Sequence, residues 1–227
     1  MGLINRRRVG VGLVVAFGAV VAFVALGPGR PVPPGFVSIR KAPSFQDAAL
    51  LEKAWALPVA AKYPRPLISQ SNPSACGPTS VANVLRSTGV EATSDQVAAH
   101  GVGCFAGICT MGLTLGELAS AATASAPGWT ITTLHPSSVE ALREELRHAN
   151  EEDRRYVINL HRFPLFGAGG GHHSPLGGYL EAEDLVFVLD VNASYGPWLV
   201  STSRLYEAMD TTDDSSGEKR GLLEFQR

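Results

Sequence analysis

The stretch Gln70-Ser-Asn-Pro-Ser-Ala-Cys76-Gly-Pro-Thr-Ser-Val-Ala-Asn-Val-Leu85 places one cysteine between a polar turn and a predicted helix. Pro78 suits the first turn of a helix because proline has no N–H group that needs a partner there. Apolar residues then recur at helical spacing at Val81, Val84 and Leu85, and Gly89 can end the helix. Cys76 is therefore predicted to lie at or just before a helix N-terminus.

A cysteine in that position has two interpretations. The partial positive charge and free N–H groups of a helix N-terminus favour the thiolate over the thiol. The same N–H groups, together with the side-chain amide of Gln70, can hold an oxyanion, which would make Cys76 a nucleophile. The alternative is a small buried cysteine that opens a core helix, because free cysteine is among the most buried residue types.

The composition sets limits on the class of protein. The chain has 227 residues, enough for one large domain or two small ones, and its formal net charge of -2 gives no electrostatic reason to expect nucleic acid as a partner. The 24 glycines and 15 prolines indicate many tight turns rather than a helical bundle.

The three cysteines leave two arrangements open. Cys104 and Cys109 can form a disulfide outside the cytoplasm, with Cys76 as a reactive thiol, or both can be unpaired structural cysteines. No second Cys or His pair lies at ligand spacing, so no metal site is predicted.

The N-terminus has the pattern of an export signal. Arg6, Arg7 and Arg8 precede an uncharged apolar run over residues 9–26, which is just long enough to span a bilayer. We therefore predict a signal peptide or, since no clear cleavage site follows, a signal anchor at residues 1–27 that forms one hydrophobic helix. A Pro/Gly-rich linker is predicted at 28–40 and the main domain at 41–227, exported, membrane-anchored or periplasmic in a bacterium.

Helical patterns dominate the first half of the main domain and strand patterns the second. Helices are predicted at Ser44–Leu57 with Ser44 as cap, at Val97 after the capping box Thr93–Gln96, and at Thr114–Ala124, which opens with a second capping box at Thr114–Glu117. Two further helices are predicted at Val139–His148 and Ser203–Met209. Strands are predicted at Trp129–Leu134, Tyr156–Leu160, Leu185–Asp190, Leu199–Val200 and Leu222–Phe225. This order predicts an α+β fold in which a helical half packs against an antiparallel sheet.

Candidate partners for the thiol lie in the second half of the chain. His172 and His173 stand between two glycine-rich runs, where backbone and ligand can come close, although a flexible polar loop has the same composition. Asp190 ends an apolar strand, and a carboxylate buried there needs a partner. Cysteine on a helix followed by histidine and aspartate on strands is the chain order of papain-like cysteine enzymes.

Four ordered motifs sharpen this pattern. They are Gln70-Ser-Asn-Pro-x-x-Cys76-Gly, Gly171-His172-x-Ser174-Pro-x-Gly-Gly-Tyr179, Leu189-Asp190-Val191 and Met209-Asp-x-x-Asp213-x-x-x-Gly217-x-x-Arg220-Gly221. From about Tyr63 onward the chain resembles the catalytic domain of the phytochelatin synthases. That family cleaves the Cys–Gly bond of glutathione, forms a γ-glutamylcysteinyl thioester, and passes the acyl group to a second glutathione or to water.

The resemblance implies roles for individual residues. Cys76 matches the nucleophile, His172 the general base, Asp190 the residue that orients the histidine, and Gln70 the oxyanion-hole side chain. His173 stands where the family has an aromatic residue.

Four residues are expected to bind substrate, namely Gly171, Ser174, Arg162 and Arg220. The loops 167–171 and 104–109 are expected to border the cleft. No cofactor is implied, although glutathione or a related γ-glutamyl peptide can enter as a cadmium or zinc thiolate, the form that links this family to heavy-metal detoxification.

The chain also departs from the family. No cysteine-rich C-terminal region follows the catalytic motifs, and the segment 191–198 is short and lacks basic residues, which favours hydrolysis over polymer formation. Two other functions remain open: a double-glycine leader peptidase of the C39 type, and a non-catalytic exported binding module.

Overall fold

The computed structural model describes residues 31–105, 108–109 and 112–227, and Val37–Arg227 form one compact unit. The predicted hydrophobic segment 1–27 lies outside the described residues. Within the part that is described, no helix combines the length and the apolar character needed to cross a bilayer. The domain boundary at residue 41 stays a prediction; Ile39, just before it, is buried in the core.

The helices follow the sequence pattern closely. They are α1 (Ala48–Trp55), α2 (Cys76–Ser87), α3 (Ser94–Ala98), α4 (Leu115–Ser125), α5 (Val139–Arg147), α6 (Phe163–Phe166) and α7 (Thr202–Met209). Both predicted capping boxes are confirmed, at Thr93–Gln96 and Thr114–Glu117. The prediction of Ser44 as the cap of α1 is wrong: Phe45 is drawn into the core, and the side chain of Asp47 accepts the Leu50 N–H instead.

The strands form a six-stranded antiparallel sheet and a separate two-stranded hairpin. They are β1 (Cys104–Phe105), β2 (Ile108–Cys109), β3 (Thr130–Leu134), β4 (Arg154–His161), β5 (Gly171–Leu180), β6 (Leu185–Val188), β7 (Trp198–Ser201) and β8 (Leu222–Gln226). The large sheet has the order β3-β8-β4-β5-β6-β7, and β1 pairs with β2. The predicted α+β class and antiparallel sheet are confirmed.

Hydrophobic cores lie on both faces of the sheet. On one face, Val157 of β4 belongs to a cluster with Val81 of α2 and Leu118 of α4. On the other, Ile158 belongs to a cluster with residues of α5 and α7, including Leu142 and Leu205. Successive residues of β4 thus point to opposite faces, and helices cover both of them.

The Gly177-Gly178 pair of the His172 motif has a structural cause. A Cβ on Gly177 would lie 2.5 Å from the Phe187 ring, and Gly178 has a φ of +143° at a register shift between β5 and β6. Side chains are therefore excluded from this bulge by contact and by backbone conformation. The presence of two glycines here is explained by the shape of β5 and does not indicate a ligand.

Candidate active site

Cys76 is the first residue of α2, two residues earlier than Pro78, which the sequence placed first. The cysteine is 6% exposed, and the N-terminus of α2 has no side-chain cap. A Cβ on Gly77 would lie 3.1 Å from Leu118, so glycine lets α4 pack closely against this first turn. The thiol is therefore held at the positive end of a buried helix.

The chain that leads into Cys76 is tied to α2 by Asn83. Its side chain accepts the Ile68 N–H and donates to the Ile68 carbonyl, both at 2.9 Å. Two residues later, the Gln70 N–H donates to the Val191 carbonyl at 2.8 Å, and its side-chain amide donates to the Asn72 carbonyl at 2.9 Å. Gln70 is thus fixed at the start of the turn that ends in Cys76.

His172 joins Cys76 to Asp190. Its Nε2 lies 3.1 Å from Asp190 Oδ1 and 2.9 Å from Ser174 Oγ, and the imidazole also forms a hydrogen bond with Cys76. Burial disfavours the charged imidazole, but the hydrogen bonds with Asp190 and Cys76 outweigh it and raise the pKa of His172. Thiol, imidazole and carboxylate are therefore contiguous.

Asp190 is the centre of a buried hydrogen-bond network. Besides His172, its carboxylate accepts Arg162 Nη2 at 2.8 Å to each oxygen, Trp198 Nε1 at 2.9 Å and the Asn192 N–H at 2.9 Å. Burial alone would raise the pKa of Asp190, but His172, Arg162 and Trp198 together lower it to about 2. The carboxylate is therefore charged and rigidly placed at neutral pH.

Two of the expected substrate-binding residues are buried beside His172 and Asp190. Arg162 is 5% exposed and its guanidinium forms an ion pair with Asp190, so it neutralises the carboxylate. Ser174 is 0% exposed and its hydroxyl contacts His172. Since residues i and i+2 of a strand share a face, Ser174 lies beside His172 on β5 and supports the imidazole.

His173 also contacts the thiol, although no chemical role was predicted for it. Its Nδ1 lies 3.9 Å from Cys76 Sγ, and the side chain is 3% exposed. Burial would raise the pKa of Cys76, but hydrogen bonds with His172 and His173 outweigh it and hold that pKa well below the ordinary value. A buried thiol with this pKa is a nucleophile that can attack an acyl carbon.

A cavity of about 270 Å³ opens beside the thiol. Its lining includes Pro73, Cys76, Gly112, Leu113, Gly171, His173, Asp213, Asp214, Ser215 and Arg220. Two of the predicted substrate-binding residues, Gly171 and Arg220, are thus on the cavity wall. Asp213, which belongs to the motif Met209–Gly221 and had no predicted role, also lies there.

Arg220 is fixed in the wall by two neighbours. Its Nη1 donates to Asn159 Oδ1 and to Asp213 Oδ2, both at 2.8 Å, and a Cβ on Gly171 would lie 2.7 Å from the same nitrogen. Burial would raise the pKa of Asp213, but hydrogen bonds from Ser215 and the charge of Arg220 lower it. The wall therefore presents a cation and an anion side by side.

The hairpin of β1 and β2 borders this site. Cys104 and Cys109 form a disulfide, and the Cys109 N–H donates to Ser74 Oγ at 3.1 Å, two residues before the thiol. The disulfide arrangement, one of the two left open by the sequence, is confirmed, and Cys76 is free. Among the described residues, no group of three or more His, Cys, Asp or Glu side chains is placed to hold a metal ion.

Comparison with known proteins identifies the family. Residues 30–222 match the sequence model of phytochelatin synthase. The chain belongs to the phytochelatin synthase family. It is 33% identical over 118 residues to glutathione gamma-glutamylcysteinyltransferase 3 of Lotus japonicus. This alignment covers 51% of this chain and 25% of that protein. It is 27% identical over 170 residues to glutathione gamma-glutamylcysteinyltransferase 2 of Arabidopsis thaliana, which covers 70% of this chain and 38% of the relative.

Solved structures show a more distant likeness to this member of the phytochelatin synthase family. The peptidase domain of Streptococcus ComA, a bi-functional ABC transporter, aligns at 15% identity and a TM-score of 0.49, over 70% of this chain and 96% of that domain. A C39-like peptidase from Bacillus anthracis aligns at 17% identity and a TM-score of 0.49, over 71% and 94% of the two chains.

Proposed function

We propose that the chain is a cysteine-dependent acyl transferase or hydrolase that acts on glutathione or a related γ-glutamyl peptide. The observation that carries the proposal is the contiguous Cys76–His172–Asp190 array, in which the pKa of the thiol is lowered and that of the imidazole is raised. The names of the Lotus and Arabidopsis relatives supply the substrate class. Because the alignments span 25% and 38% of those relatives, their activity is carried over here as a proposal.

The first half-reaction uses the thiolate–imidazolium pair. Cys76 Sγ attacks the carbonyl carbon of the Cys–Gly bond, and the oxyanion is held by the N–H groups at the start of α2 and by the Gln70 amide. When the C–N bond breaks, His172 gives its proton to the departing amine of glycine, and Cys76 is left as a γ-glutamylcysteinyl thioester. Asp190 keeps the imidazole oriented throughout this step.

The cavity wall offers a reason for γ-glutamyl selectivity. The head of a γ-glutamyl group carries an α-carboxylate and an α-ammonium, and Arg220 and Asp213 present one charge of each complementary sign. Gly171 leaves the space in which the Arg220 guanidinium lies. We assign substrate recognition to this pair and to the glycine beside it.

The second half-reaction is proposed to favour water over a second glutathione. Residues 191–198, which follow Asp190, contain no lysine or arginine that would hold a second anionic substrate. The products are then γ-glutamylcysteine and glycine. Metal–glutathione thiolates remain a proposed form of the substrate, in which the metal ion is bound by glutathione and not by a metal site of the protein.

We also propose that the catalytic unit acts outside the cytoplasm, exported by the segment 1–27. The disulfide between β1 and β2 supports this location, because disulfides persist in oxidising compartments and are rare in the cytosol.

Product analysis of the full-length chain with glutathione tests the proposal. Wild-type protein is expected to release glycine and γ-glutamylcysteine, and Cys76→Ser and His172→Ala to release neither above background. His148→Asn serves as a matched control, because His148 is a partly exposed histidine that pairs with Glu151 on the surface. Longer γ-glutamylcysteinyl chains, with or without cadmium ions, would replace the hydrolase by a transferase. Glycine release that survives Cys76→Ser would overturn the mechanism.

A further inference from the structure

The pleat of β5 gives its two adjacent histidines different neighbours. In the β4–β5 register His172 is opposite Leu160 and His173 is opposite Asn159. Leu160 belongs to the core that includes Trp198, whose indole donates to Asp190. His173 shares its face with Asn159, which accepts from Arg220 at the cavity wall.

The surroundings of His173 are those of a group that faces a ligand. Its Nδ1 lies 3.9 Å from Cys76 Sγ and would lie 3.7 Å from a Cβ on Gly77, so the ring packs against the first turn of α2. Its Nε2 is buried and finds no hydrogen-bond partner among the described residues. Asp213, Asp214 and Arg220 are the charged residues that border the same cavity.

His172, by contrast, does not line the cavity. Its Nε2 is shared by Asp190 and Ser174. Once Cys76 carries an acyl group, the reacting carbon is bonded to Sγ. A nucleophile that comes from the cavity then approaches that carbon past the ring of His173.

We propose that His173 is a second catalytic residue, which takes the proton from the water that resolves the thioester. The inference rests on the proposed function and specifies its second half-reaction. The water oxygen bonds to the acyl carbon while one of its protons moves to a nitrogen of His173. The C–S bond then breaks, the electron pair returns to Cys76 Sγ as thiolate, and γ-glutamylcysteine leaves as the acid. The proton on His173 returns through solvent to His172, which restores the thiolate–imidazolium pair and balances the step.

This assignment explains a departure of the chain from its family pattern. An aromatic ring at position 173 would fill the same space without accepting a proton, whereas an imidazole can hold a water against the acyl carbon. The histidine therefore biases the thioester towards hydrolysis.

Two substitutions separate the base from the packing of the ring. His173→Asn keeps a hydrogen-bonding group near Sγ but has no titratable nitrogen. His173→Phe keeps an aromatic ring but has no hydrogen-bonding group and no titratable nitrogen. In rapid-quench experiments with the full-length chain and glutathione, both variants are still expected to release one glycine per enzyme in the first turnover, at a rate lowered by the loss of the His173 hydrogen bond to Cys76. Release of γ-glutamylcysteine should then slow by about 10²-fold, and intact-mass spectrometry should show the thioester accumulating. His148→Asn is the matched control and should behave as wild type.

A nucleophile that needs no base provides the decisive readout. Hydroxylamine is expected to discharge the thioester of His173→Asn and His173→Phe at a rate close to that of wild type, which a merely structural defect would not allow. If both variants turn over the thioester within about threefold of wild type, or lose glycine release as strongly as His172→Ala, the inference is overturned. If wild-type protein shows no glycine release that depends on Cys76, the proposed function itself fails.

Discussion

Substituting Asp190 by asparagine tests whether the buried network around it is electrostatic in origin. The pKa of Asp190 is about 2 in the folded protein, compared with about 3.9 for an unfolded aspartate. Each pKa unit corresponds to about 1.4 kcal/mol, so ionised Asp190 contributes about 3 kcal/mol to the free energy of unfolding. Because the folded pKa is depressed, this contribution is present above about pH 4 and is lost as the pH falls towards 2.

The substitution also leaves Arg162 as a buried cation without its counter-charge. Breaking one partner of a buried ion pair costs about 3–5 kcal/mol. In urea titrations at pH 7, Asp190→Asn is therefore expected to lose at least 3 kcal/mol of unfolding free energy, and the deficit should shrink between pH 4 and 2. Adding Arg162→Met should recover part of the loss, since the unpaired cation is then removed.

Asp184 provides a control with a similar pKa and a different environment. Its pKa is also about 2: burial alone would raise it, but hydrogen bonds with Arg143, Thr202 and Tyr179 lower it. Its side chain is 37% exposed, so solvent screens the interaction and Asp184→Asn should cost about 1 kcal/mol or less. Equal losses for the two variants, or a loss below about 1 kcal/mol for Asp190→Asn, would refute the reasoning.

Three further outcomes follow from the site. Gly171→Ala should displace Arg220, because the new Cβ would lie 2.7 Å from its Nη1, and the KM for glutathione should rise about tenfold or more. Gly170→Ala is the control: its Cβ would meet nothing within 4 Å, so the KM should not change. Alkylation of Cys76 by iodoacetamide should already be fast at pH 7. As the pH increases, kcat/KM for glycine release should rise through the lowered pKa of Cys76 and fall through the raised pKa of His172; a thiol that reacts only above about pH 8 would contradict both expectations. Reducing the disulfide between β1 and β2 should lower the free energy of unfolding by about 2 kcal/mol, measured in urea with and without reductant.

Local sequence signals predicted the helices better than their starting points. The capping boxes at Thr93 and Thr114 are confirmed because both partners of each box lie within four residues. The cap of α1 was missed because Ser44 and Asp47 are both good caps, and the choice depends on the burial of Phe45 in a core made by distant residues. Sheet order is likewise a long-range property, so the position of β8 between β3 and β4 could not be predicted.

The site shows the same division. The motif pattern brought Cys76, His172 and Asp190 together, and the structure places them in contact. The contacts of Arg162 with Asp190 and of Ser174 with His172 were not predicted, because polarity beside a motif cannot distinguish a residue that binds substrate from a partner of the carboxylate or imidazole. The Trp198 indole gave no signal, since its donation to Asp190 depends on β6 and β7 being neighbours.

The two histidines show why a motif match alone is an incomplete guide to chemistry. Sequence comparison gives a single position, His172, the role of base, because that position matches the family. A strand, however, presents adjacent side chains to opposite faces, and here both imidazoles meet one thiol from different sides. The face of His172 contains the fixed charges, which keep that imidazole oriented for the first half-reaction. The face of His173 borders the cavity, where a nucleophile must arrive for the second. A substitution at the position that does not match the family is thus placed where it can alter the fate of the thioester as well as the reactivity of the thiol.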